Sequence, residues 1–350
     1  MMSVLENPSK ARAETSPADQ CRFVGIHRFD GFQTETAPNG DVVQLSPVIN
    51  ASIAWNELVI SWNTAPVEGT MKVEVRGIYP DHKTGFYTMG IWSALGQRHS
   101  ERGQKDADGR VNTDTIVMQR SGAAVQLRIT WNGARHSLKF LGLSFLDNRA
   151  RTGAFPENRA AWGKIVETPE RSQHVIPGEE GWCSPASVSM ALAHWSQALH
   201  RPELDVDVPS AAKAVIDKNY GAGNWPFNTA FAGSFDGMRA YVTRFSDISE
   251  LEQWIAAGIP VIISAPWNLL HPGRNDTGSG HLVVCIGFAK NGDVVINDPA
   301  TNLNAGQHVR HIYARQNVVD AWRKSRNTVY LIYPETAKLP ADKFGHWDKQ

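Results

Sequence analysis

The chain has 350 residues, enough for two ordinary domains at roughly 100–200 residues each. Apolar residues make up 42% and charged residues 20%, the balance of a globular protein. Lys plus Arg and Asp plus Glu stand at 35 each, so the formal net charge is zero and no general basic footprint for nucleic acid or an anionic membrane is present.

Residues 1–20 are polar and are expected to form a disordered tail. They contain no apolar core of the length a signal peptide needs, so the chain as written is expected to be cytoplasmic. The richest apolar run, 259–265, is strand-length, and no bilayer span is expected. From 21 to 148 the pattern is short β-type runs: 58–62, 71–75, 111–118, 125–131 and 138–145. Asn39-Gly40, Asp108-Gly109 and Asn132-Gly133 lie between runs as hairpin-type turns. This half reads as an all-β sandwich or jelly roll. Residues 149–172, polar and carrying Pro156 and Pro169, read as a linker or strap.

Beyond it the texture is α+β, over 173–335, followed by a C-terminal tail at 336–350. Helices are predicted over 185–195, opened by Ser184-Pro185, and over 211–220. A third spans 249–257, with Ser249 as cap, Glu252 completing a capping box and Gly258 as stop. Strands follow at 260–265, 281–288, 293–297 and 328–333, with Asn291-Gly292 as a tight turn between two of them.

The chemistry-bearing residues sit at the ends of these elements. Cys183 precedes a helix N-terminus, where unpaired N–H groups and the helix dipole favour a thiolate. A buried, inert cysteine at a helix start is the competing reading, at even odds on this local signal. A glycine-rich turn delivers His281 to the first position of an apolar strand. The return strand of the next hairpin ends at Asn297-Asp298-Pro299, and antiparallel pairing brings Asp298 beside His281. An acceptor there fixes the tautomer and orientation of an imidazole base. Asn-Asp-Pro also suits a plain turn.

The order, Cys at a helix start, His at a strand start and Asp after the next strand, is papain-like. With Ser172-Gln173, Gly181-Trp182-Cys183-Ser184-Pro185-Ala186-Ser187, Gly280-His281-Leu282-Val283-Val284 and Asn297-Asp298-Pro299, the chain resembles the C39-like peptidase family over roughly residues 165–335. The resemblance implies a papain-like fold and peptide-bond hydrolysis without metal or cofactor. In it Cys183 is the nucleophile, His281 the base, Asp298 its orienting partner, and Gln173 an oxyanion donor with the Cys183 N–H. Many members carry Gly directly after the nucleophile, where this chain has Ser184. Neither a Walker A motif nor membrane helices accompany the motifs, so processing during export is not implied.

The three cysteines are too widely spaced for a disulfide framework or a zinc site. Cys285 reads as a core thiol and Cys21 has no assigned role. His194 and His200 read as surface residues near a helix end, and His271, His308 and His311 have no metal-ligand spacing. Trp182 and Trp225 are candidate substrate-binding residues, although the 220–228 segment could equally be a packed loop. The polar 268–280 segment is a candidate lid or plain surface. Trp62 and Trp131 read as core of the β half. The rival to a cysteine peptidase is a protein- or carbohydrate-binding module on a papain-like scaffold. Peptide or protein is the expected partner, with no nucleic acid; oligomeric state is left open.

Overall fold

The computed structural model describes residues 20–65, 68–133, 138–150, 155–176, 181–271, 280–303 and 306–348. The expected N-terminal tail and most of the candidate lid lie outside them. The chain is mixed α and β, with its first part entirely β.

That part holds β1 (Cys21–Ile26), β2 (Gln33–Thr36), β3 (Val42–Leu45), β4 (Ile49–Thr64), β5 (Thr70–Ile78), β6 (Tyr87–Trp92), β7 (Gly109–Asn112), β8 (Thr115–Asn132) and β9 (Leu138–Leu146). The predicted run at 111–118 is two strands, β7 and the start of β8. A turn with Thr113 at φ 56° separates them. All nine strands, with the C-terminal β16 (Trp347–Asp348), are hydrogen-bonded into one continuous sheet. The jelly-roll expectation therefore does not extend to two separate sheets. The reason is the length of β4 and β8, with 16 and 18 residues, which pair with different neighbours along their length. Trp62, Leu127, Ile129 and Phe145 share one core, so Trp62 and Trp131 are interior residues as expected.

The second part comprises α1 (Cys183–Leu199), α2 (Val208–Val215), α3 (Trp225–Ala232), β10 (Met238–Arg244), α4 (Ile248–Ala256), β11 (Val261–Ser264), α5 (Trp267–Leu270), β12 (Leu282–Phe288), β13 (Val294–Asn297), β14 (Arg310–Tyr313), α6 (Arg315–Arg323) and β15 (Thr328–Pro334). Its sheet is antiparallel throughout, in the order β10-β15-β11-β12-β13-β14. Helix α1 is buried almost all round, as a helix enclosed on every side must be. Two of its serines point at the sheet: Ser187 Oγ donates to the Leu282 carbonyl at 3.0 Å, and Ser184 Oγ lies 3.0 Å from the Tyr330 hydroxyl.

Five elements of this part went unread in the sequence: α3, β10, α5, β14 and α6. Asn224 caps α3 through the Phe227 N–H, and Pro226 opens it, inside a segment read as a loop. The cap of α4 is Asp247, which accepts from the Ser249 N–H at 2.8 Å; Ser249 is already inside the helix. Glu252 does not close a capping box. It accepts instead from the Asn158 N–H, the Trp162 indole and Arg315, and so ties down the 155–166 segment. That segment runs along β12, with Gly163 and Val166 donating to the carbonyls of Phe288 and Ile286. The approach is so close that a Cβ on Gly287 would sit 2.3 Å from the Lys164 carbonyl oxygen.

The two parts are packed together. Edge strand β10 is covered by side chains of β4: Asn63 exchanges two hydrogen bonds with the Ala240 backbone, and Ser61 accepts from the Val242 N–H. Capping an edge in this way removes a site for unwanted pairing. Phe227 of α3 is wholly buried in the core of the β part, against Trp62 and Trp92. The last residues return to the start of the chain, where β16 pairs in parallel with β1.

Candidate active site

Three chain segments converge on Cys183. The first is its own helix start. Gly181, at φ +84°, takes a left-handed turn that favours glycine, and Trp182 then leads into α1 with Cys183 as its first residue. The second is the entry to β12, where the His281 carbonyl accepts from the Ala265 N–H at 2.7 Å and fixes the residue beside β11. The third is the exit of β13. Pairing of Val284 with Asn297 sets the register, and the Asp298 N–H is held by the Val309 carbonyl at 2.8 Å.

This register brings His281 and Asp298 together: Nε2 of the imidazole lies 2.7 Å from Asp298 Oδ1. Both side chains are buried. Cys183 stands close enough to the ring for each to shift the titration of the other. Burial works against charge on the Cys183 thiol. The hydrogen bond and positive charge of His281, with the N–H groups of Leu282 and Ser184, outweigh it and hold the thiol below its ordinary pKa. Burial likewise opposes charge on His281. Asp298, and then Cys183, overcome it and raise the imidazole to about 10. Asp298 itself is lowered to about 2 against its own burial by His281, the Ala300 N–H and Tyr313. All three shifts run in the direction of a thiolate and an imidazolium beside a carboxylate.

Tyr313 is a component that sequence reading missed. Its hydroxyl donates to Asp298 Oδ2 at 2.8 Å and lies 3.3 Å from His271 Nε2. Burial first, then the neighbouring carboxylate, push its own pKa upward. Its signal was absent because β14 was not recognised as a strand; without that strand nothing placed residue 313 beside 298. His271, His308 and His311 also meet, lining a cavity of about 520 Å³ with Asp298. Among the described residues no cluster of His, Cys, Asp or Glu has the makings of a metal site.

Gln173 lies on the loop next to Asp298, its N–H donating to the Pro299 carbonyl at 2.8 Å. Its side-chain Oε1 is buried without a partner among the described residues. Trp182 is buried in a small cluster with Val208, Ala212 and Val215. Trp225 is half-buried at the start of α3, its N–H donating to Asp114. On the intervening loop the exposed Tyr220 lies close enough to Cys183 to feel its charge. Cys285 is wholly buried, and that burial pushes its thiol up to about 12. His194 is tied to the 155–176 segment through the Glu167 carbonyl. Among the described residues no helix is long and apolar enough to cross a membrane.

No curated protein matches this chain. A crystal structure from Bacillus anthracis, described as that of a candidate C39-like peptidase, is 18% identical, with a TM-score of 0.38. The match covers 50% of this chain and 99% of that one. Residues 33–139 match the profile of the peptidase C39 N-terminal domain, and residues 165–330 match that of the peptidase C39-like family. The two profiles follow one another along the chain, and its residues 165–330 belong to the C39-like peptidase family.

Proposed function

We propose that the protein is a cysteine peptidase acting on peptides or proteins through Cys183, His281 and Asp298. The observation that carries this reading is the buried His281–Asp298 pair, 2.7 Å apart, standing beside Cys183 at the N-terminus of α1. Cys183 attacks the scissile carbonyl carbon and its proton resides on His281, which delivers it to the leaving amine. Water, deprotonated by the same imidazole, then opens the thioester. Asp298 holds the ring so that one nitrogen faces the sulfur. The tetrahedral oxyanion is received by the Cys183 N–H, exposed at the helix start, and by the Gln173 side-chain amide. One such donor is worth about 10²–10³ in rate. In this reading Trp182, Trp225 and Tyr220 supply walls for substrate side chains. The β part serves as a fixed platform for α3 and its preceding loop.

The test is trapping of the acyl-enzyme. A library of short fluorogenic peptide amides is offered to wild type and Cys183→Ala, with intact-mass measurement on rapid acid quench. A thioester adduct on Cys183, with turnover lost in the variant, is expected. Unchanged mass and no turnover across the library, with Cys183 alkylated no faster than a free thiol, would move the protein to the binding-module reading.

A further inference from the structure

A second cysteine–histidine–carboxylate set shares no residue with the first. Cys21 Sγ is 2.7 Å from His346 Nε2, and His346 Nδ1 is 2.6 Å from Glu250 Oε1. Ser246 adds its hydroxyl at 3.0 Å from the same Nε2, and its N–H donates to Glu250 Oε2 at 2.8 Å. The imidazole is therefore held at both nitrogens. All three members are buried, but Cys21 lines a cavity of about 650 Å³. Leu146, Phe245 and Trp322 form apolar walls of this cavity, and Arg323 and Arg326 are also in its lining.

We propose that Cys21 is a second reactive thiol, a modification site for small disulfides that enter this cavity, with His346 as its base.

Three observations carry the assignment. A thiol with only a packing role needs no base, and Cys285 shows that case: its sulfur has one long contact, 3.9 Å, to the Gly287 carbonyl. Burying an imidazole and a carboxylate together is also a poor way to gain stability, since apolar residues of equal volume serve as well. Next, no helix starts at Cys21, which is the first residue of a strand. The set has a nucleophile and a base but none of the helix-terminal N–H donors that an oxyanion requires. Thiol–disulfide exchange forms no oxyanion and needs only a thiolate and access. Finally, Arg323 and Arg326 outnumber the one carboxylate of the lining, Asp247, and so favour disulfides that carry carboxylates; nearby, Arg244 buries a guanidinium whose Nε and Nη1 have no partner among the described residues. Its carbonyl lies 3.6 Å from the Cys21 sulfur.

In the step, the Cys21 sulfur attacks one sulfur of the incoming disulfide. A new S–S bond forms, the old one breaks, and the thiol proton passes by way of His346 Nε2 to the departing thiolate. The products are the mixed disulfide at Cys21 and one free thiol.

The experiment uses the full chain carrying Cys183→Ser, with 3,3′-dithiodipropionate or cystamine at pH 7 and peptide mass spectrometry of Cys21 and Cys285. Cys21 is expected to react at least about tenfold faster than Cys285, and faster with the anionic reagent. His346→Gln and, separately, Glu250→Gln should each lower the Cys21 rate while the fold, followed by circular dichroism, persists. The sign of the His346→Gln effect separates this reading from simple loosening of the C-terminal segment. Loosening would expose Cys21 and raise its rate, and a raised or unchanged rate would overturn the proposal. Equal rates at Cys21 and Cys285 in the parent, a measurement that requires no variant of the cluster, would overturn it as well. Equal rates with the two reagents would overturn the preference for anionic disulfides.

Discussion

The two cysteine–histidine–carboxylate sets share a short histidine–carboxylate hydrogen bond, at 2.7 and 2.6 Å, in different surroundings. Both cysteines are scarcely exposed, 8% for Cys183 and 3% for Cys21, and each has a histidine beside it that is hydrogen-bonded to a carboxylate. His281 and Asp298 are 17 positions apart, on the two strands of one hairpin, whereas Cys21 and His346 are 325 apart and meet only where the chain ends close on each other. Their carboxylates also behave oppositely. Asp298 is pulled down to about 2, its burial offset by His281, the Ala300 N–H and the Tyr313 hydroxyl. Glu250 is pushed up, because burial outweighs His346 and the single N–H of Ser246. A hydrogen-bonded triad is thus not by itself an acyl-transfer site. The helix N-terminus at the sulfur, and the further donors behind the carboxylate, are what distinguish the first set from the second.

The largest separation comes from removing the base of the first set. His281→Ala should lower peptide turnover by about 10²–10⁴-fold, the range for loss of a positioned general base. It should also return Cys183 alkylation to the rate of an ordinary thiol, while disulfide exchange at Cys21 stays as it was. A loss of reactivity at both cysteines would mean that the variant disturbs the fold and that the two sites are not independent.

The pH dependence of the two partners has a definite sign. His281 is raised to about 10, so its charged form is stabilised in the folded protein. Its contribution is complete below the ordinary histidine value of 6.5 and is lost as pH rises through about 10. Asp298 is lowered, so its contribution is present above 3.8 and is lost as pH falls toward 2. The alkaline limb of kcat/KM is therefore expected near 10. In Asp298→Asn it should fall toward the ordinary histidine value, with kcat reduced. An alkaline limb that does not move in Asp298→Asn would show that the carboxylate does not sustain the imidazolium.

Tyr313→Phe tests the donor that the second set lacks. It deletes one hydrogen bond to a buried carboxylate and leaves the ring in place. A tenfold fall in kcat with unchanged KM, about 1.4 kcal/mol, is expected, together with a small downward shift of the alkaline limb. Changes in KM alone would assign Tyr313 to substrate contact. No change at all would assign it to packing.

How far this was legible in the sequence follows from where each signal resides. Cys183, His281 and Asp298 each stand at the end of an element with a strong local pattern: Ser-Pro opening a helix, a glycine turn before an apolar strand, Asn-Gly closing a hairpin. Local chemistry then implies the register, and β12 pairs with β13 as a hairpin requires. Tyr313 was invisible because β14 is short and polar, Arg-His-Ile-Tyr, with none of the apolar alternation that marks a strand; pairing with β13 makes it one. Strand β10 and helix α3 escaped for a related reason. Their stability comes from burial against β4, a partner more than a hundred positions away whose choice no local pattern encodes. Cys21 carried no signal at all. Its partner sits in a segment read as a tail, and only the parallel pairing of β16 with β1 brings the two together.

The smallest expected effect concerns the approach to the sulfur, where the two sites differ most simply. Cys21 is reached along a strand, whereas Cys183 is reached through Gly181 at φ +84°. Among the described residues a Cβ at Gly181 meets nothing within 4 Å, so Gly181→Ala introduces no clash with them. It introduces only the cost of a left-handed conformation for an L-residue, about 1–2 kcal/mol. The turn can relieve that cost by moving the Trp182–Cys183 backbone away from His281. Stability should fall by no more than this amount, while Cys183 alkylation falls several-fold and Cys21 exchange is untouched. A stability loss with full Cys183 reactivity would mean that the helix start is held by α1 packing alone. In that case the turn before it sets no part of the thiol's position.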